Sequence, residues 1–171
     1  MRERVYATDL PPDTLLYRLR QAGHFTDCFT TVVPRAVTLP QLVEAFYTTP
    51  LFNAERLVLR LLLRQRTTDR QAYELAHGTR TAFAVWRLVE RTDHEILLSD
   101  ESGRTSSWLM IREDAEGTNR ATRLLFGSAI KPTAQSTSGA PQLSPMFRAI
   151  LGLHTVYSIK LLQAAATRLM D

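Results

Sequence analysis

From about residue 80 to residue 130 the chain is a series of short β-type segments. One long helical pattern, Ser144 to Met170, then closes it. That order constrains the fold more than anything else in the sequence. Strands and helix each carry one apolar side and must bury it against another element, so the closing helix is expected to lie across the sheet. Ser144 is placed to cap it and Pro145 suits its first position. From Pro145 to Leu169 it would be about 37 Å long. Its inward stripe carries Phe147, Ile150, Leu151, Leu161 and Leu162, with His154, Tyr157 and Ser158 among them. Polar groups on an otherwise apolar stripe point to a sheet that grips a cavity beneath the helix.

Turn residues divide the preceding region. Arg80–Thr92 reads as one strand with Phe83, Val85, Trp86, Leu88 and Val89, and Thr92-Asp93 as a tight hairpin. His94–Ser99, Arg104–Arg112 and Asn119–Ile130 follow as further strands, separated by turns at Asp100–Gly103 and Glu113–Gly117. Successive hairpins favour an antiparallel meander.

Nearer the start, residues 1–10 read as a loose arm. Asp13–Ala22 is a short helix ended by Gly23, and Thr26–Val33 is a strand stopped by Pro34. Thr38-Leu39-Pro40-Gln41 is a capping box. Asn53–Arg66 is a leucine- and arginine-rich helix, and Asp69–His77 a short helical turn closed by Gly78. The expected class is α+β: a curved antiparallel meander packed around a long C-terminal helix, with the helices on one face. All 171 residues form a single domain, residues 1–25 being the arm and short helix and 26–171 the core.

Composition narrows the function classes. Charged residues at 22% and hydrophobic residues at 44% are ordinary globular values. No apolar run approaches the roughly 20 residues needed to span a bilayer. Met1-Arg2-Glu3-Arg4 has no apolar stretch behind it, so no secretory signal is expected. Cys28 is the single cysteine and reads as a small buried hydrophobe, which suits a reducing cytoplasm. The net charge of +4 comes almost wholly from arginine, Lys131 and Lys160 being the lysines. The excess is modest and comes without a recognition motif, so no nucleic-acid partner is expected.

The chemistry-bearing residues are few. His154, Tyr157 and Ser158 share a helix face, Tyr157 and Ser158 lying three and four residues beyond His154. On the functional reading they orient a ligand, with Phe147 and Leu151 beside them and Trp86 and Trp108 lining the cavity from the strands. A packed core in which they bond one another or backbone carbonyls is the structural alternative. Arg56, Arg60 and Arg64 recur every four residues and would bind an anion, or simply face solvent. The four histidines show no familiar ligand spacing, so no metal or other cofactor is expected. His154 is the one defensible general base.

The element order resembles that of an uncharacterised bacterial family, the domain of unknown function 2867, within the START-like, helix-grip superfamily. The stretches that carry the resemblance are Asp27-Cys28-Phe29, the helix around Val43–Phe46, Val85–Leu98, and Phe147–Tyr157 with His154. It covers roughly residues 26 to 165. Where family members carry a His-Leu-Asp-Phe-Arg-like stretch, this chain has Arg104-Thr105-Ser106-Ser107-Trp108. The resemblance implies a helix-grip fold and a pocket, and no established reaction. The leading expectation is therefore binding of a small hydrophobic ligand: a lipid, polyketide or aromatic compound. A cyclase- or hydrolase-type enzyme using His154 and Tyr157 is one alternative. An interaction module forming a homodimer through helix 53–66 is another.

Overall fold

Alternating side chains decide how the strands stack. The computed structural model describes residues 4–50, 52, 67–114, 120–132 and 145–171, with side chains in the last stretch from residue 154 onward. The strands are β1 (Tyr6–Ala7), β2 (Phe25–Val33), β3 (Ala82–Phe83), β4 (Trp86–Arg91), β5 (Glu95–Asp100), β6 (Thr105–Asp114) and β7 (Ala121–Ile130). They form one open antiparallel sheet in the order β1-β2-β7-β6-β5-β4-β3. The helices are α1 (Leu15–Gln21), α2 (Leu39–Tyr47), α3 (Asp69–Ala76) and α4 (Pro145–Met170). The result is the expected α+β, helix-grip-like arrangement of a meander and a long closing helix.

Local signals set the helix ends. The capping box at Thr38 and Gln41 is formed, and Thr68 with Gln71 makes a second one for α3. Thr14 caps α1 by accepting from the Tyr17 amide. Gly23, Gly78 and Gly103 all take positive φ where the chain leaves a helix or turns. Thr92 Oγ1 accepts from the amides of His94 and Glu95, which closes the β4–β5 hairpin without a glycine.

Four expectations are corrected. Tyr6–Ala7, read as part of a loose arm, pairs with Thr30 and Phe29 as an edge strand. Arg80–Thr92 is two strands, because the chain turns back at Ala84 with φ +52°. The strand after Gly103 runs on to Asp114. The helices do not all lie on one face.

Period-two alternation gives the sheet two apolar faces. One carries Phe29, Val33, Ile96, Leu98, Leu109, Leu124 and Phe126, packed against α2, α3 and the C-terminal part of α4. The opposite face carries Cys28, Leu97, Trp108, Leu125 and Ala129, covered by Leu15 and Leu16 of α1. Gly127 lets α1 approach. A Cβ there would stand 2.5 Å from Leu16 Cδ2 and 2.6 Å from the Asp27 carbonyl oxygen. The third neighbour would be Trp108, at 3.3 Å.

α4 packs on α2, β2 and β7. His154 meets Asp27 near the start of β2, and the Leu169 carbonyl meets Arg35 just beyond its end, so helix and strand run in the same sense. Helix 53–66 with Arg56, Arg60 and Arg64, most of the 132–141 loop, the Ser144 cap and the side chains of Phe147 and Leu151 lie outside the described residues. Among the described residues no helix is long and apolar enough to cross a membrane.

Candidate functional site

Asp27 is the charged residue of β2, set among β-branched and aromatic neighbours. Alternation places it on the same face as Phe29 and Val33, beneath α4. Its register partner on β7 is Ser128. Asp27 Oδ1 accepts from the Ser128 amide at 2.8 Å and from Ser128 Oγ at 2.7 Å. His154 comes down from α4, its Nε2 3.1 Å from Asp27 Oδ2 and 2.9 Å from Ser128 Oγ. Ser158, one turn further along the helix and fully buried, lies 3.5 Å from the same nitrogen.

The proton positions follow from the donors and acceptors available. The Ser128 hydroxyl spends its one proton on Asp27, so it can only accept from His154. Nε2 therefore carries a hydrogen, directed at Asp27 Oδ2 and shared with Ser128 Oγ. The side chains of His154 and Asp27 are 32% and 30% exposed, so the pair sits at an edge rather than in the deep core. Burial is the largest single influence on the Asp27 carboxyl and pushes it up. The hydrogen bonds from His154 and Ser128, with the charge of His154, outweigh it and hold Asp27 below the usual carboxylate range. The hydrogen bond to Asp27 raises His154 above the ordinary imidazole range, against burial and with help from the Asp27 charge. Burial, then the Asp27 charge, pushes the neighbouring Cys28 thiol up to about 12.

This arrangement can hold and orient a polar group; it is not set to activate Ser128 as a nucleophile. In a relay the imidazole uses one nitrogen toward the carboxylate and the other toward the hydroxyl. Here a single nitrogen faces both groups, and the hydroxyl proton is already committed to the carboxylate.

The two tryptophans are not brought to His154. Trp108 lies on the opposite face under α1, fully buried, and its Nε1 donates to Glu95 Oε2 at 2.6 Å. The same oxygen accepts the Leu15 amide at the start of α1, 2.9 Å away. Trp86 is on the helix-covered face, but on β4, with β5 and β6 between it and β7. Three strand spacings amount to about 14 Å. Trp86 instead lines a concavity of about 190 Å³ with Gln71, Arg80, Phe83, Arg87 and Glu101. Tyr157 is partly buried and packs against the main core.

Sequence reading missed Asp27, Ser128 and Glu95. For Asp27 a signal existed, since aspartate is depleted in strands and one inside β2 calls for a partner. Nothing local marked Ser128 or Glu95. No family model and no curated protein matches the chain.

Proposed function

We propose that this chain binds a small hydrophobic ligand, such as a lipid, polyketide or aromatic compound, between the sheet and α4. The observation that carries this reading is the Asp27–Ser128–His154 cluster, partly exposed at an edge of an otherwise apolar helix–sheet contact. Small-molecule sites have that character: apolar walls with a few fixed polar groups. Tyr47 OH and Ser107 Oγ, 3.3 Å apart, add polar groups on the same face. The Thr31 hydroxyl there is buried and unpartnered among the described residues. The resemblance to START-like proteins and to the domain of unknown function 2867 supports the same conclusion. A cytoplasmic location fits the lone buried thiol of Cys28.

Native mass spectrometry of the purified protein, with titration of a fluorescent fatty acid, tests this reading. The expected result is a co-purified small molecule or saturable probe binding that His154→Ala weakens. The absence of both a bound mass and saturable binding would overturn it.

A further inference from the structure

α4 is tied to the rest of the molecule at two places by contacts of different kinds. Toward its middle stands the His154–Asp27–Ser128 contact, joining it to β2 and β7. At its C-terminal end Arg35 Nη1 donates to the Leu169 carbonyl at 2.7 Å. Arg168 Nη1 donates to the Thr48 carbonyl, at the end of α2, at 3.0 Å. Arginine keeps its charge at any pH the protein tolerates and a carbonyl does not titrate, so the C-terminal ties do not respond to pH. Imidazole changes charge close to neutrality.

Among the described side chains of α4, which begin at His154, the fully buried apolar groups lie in its C-terminal part. Leu161, Leu162, Ala165, Ala166 and Leu169 are buried, all on the arginine-tied side. Between His154 and Leu161, Thr155, Val156 and Lys160 are exposed, Tyr157 and Ile159 are only partly buried against the core, and Ser158 alone is fully buried.

We infer that the His154–Asp27 contact is a pH-operated clamp on α4. With the imidazole protonated, the helix is held down on β2 and β7. Deprotonation loosens it there while the Arg35 and Arg168 ties persist, so the helix loosens around His154 and stays fixed at its C-terminal end as pH rises.

Among the described residues, His154 and Asp27 are the responding groups of this contact. β2 presents Asp27, with the Cys28 thiol, neutral at working pH, on the opposite face. β7 presents Ser128, which is uncharged, and the helix itself presents Ser158. Asp27 supplies the charge effect felt at His154. The folded-state value of His154 is raised, so the clamp is complete below the unfolded imidazole value, about 6.5, and is lost as pH climbs through the folded one. A neutral Nε2–H still donates to Asp27. What disappears is the charge-assisted share of the bond, on the order of fivefold in the opening equilibrium.

Amide hydrogen exchange by NMR on the full chain tests this, as protection factors corrected for intrinsic rate between about pH 5.5 and about pH 8.5. Protection over residues 154–160 should fall about fivefold across that range, with residues 165–169 unchanged. His154→Gln, which keeps a donor without a titrating charge, should abolish the pH response and sit near the high-pH level. Asp27→Asn should do the same if the glutamine variant folds poorly. An even response along the helix, no response, or one surviving in both variants would overturn the clamp. None of these outcomes depends on whether a ligand binds.

Discussion

Asp27 and Ser128 are direct partners across β2 and β7 although 101 residues separate them, and the carboxylate takes both the amide and the hydroxyl of Ser128. That leaves one carboxylate oxygen to receive His154. The strand pair thus supplies a preformed seat for the helix.

Stability should follow the two titrations. Asp27 is held below its ordinary range, so its contribution is present above the unfolded value and fades as pH falls through the folded one. His154 is raised, so its contribution fades at the alkaline side. Asp27→Asn should cost about 1 kcal/mol near pH 5.5, allowing for solvent screening of a partly exposed pair, and progressively less toward either extreme. Urea denaturation of both proteins at several pH values measures this; a cost independent of pH would contradict it.

Glu95 holds α1 onto the sheet through the Leu15 amide and the Trp108 indole. Glu95→Ala leaves two buried donors without an acceptor, a loss of about 2 to 5 kcal/mol. Glu95→Gln keeps a side-chain oxygen and should cost less than half as much. Chemical denaturation that ranks the two variants equally would rule out this role.

Gly127→Ala should destabilise the fold by about 1 to 3 kcal/mol through overpacking. Combining it with Leu16→Ala should recover part of that loss and not all, because the Asp27 carbonyl also blocks the new methyl group. Full additivity in the double-mutant cycle would show that Leu16 is not the obstruction.

Cys28 is buried, and its thiol is pushed up to about 12, so almost no thiolate exists near neutral pH. Labelling by a thiol-specific disulfide reagent should be negligible on the folded protein and rapid in urea. Its rate should therefore report opening of the α1 face; fast labelling of native protein would place Cys28 at the surface instead.

Much of the architecture was readable because its signals are local. The Thr38–Gln41 box, the glycines at 23, 78 and 103, and the turn between β5 and β6 depend on residues a few positions apart. The long closing helix and the meander were legible for the same reason. The reading failed where the deciding contact was remote. Tyr6–Ala7 becomes a strand only because β2 has a free edge. The run from residue 80 to 92 looks like one strand until Ala84 turns with positive φ.

Of the candidate site, His154 and Ser158 are legible from helical spacing, which places them on one face with Tyr157 whatever lies opposite. Sequence alone determined most of the elements, their order and the polar group on the closing helix. Tertiary structure decided that His154 meets Asp27 and Ser128, that Trp108 belongs to the face under α1, and that Trp86 stands apart from both. The physical reason is that strand register and side-chain alternation assign each residue its neighbours and its face. Both are set by pairing between segments far apart in the chain, which no local pattern records.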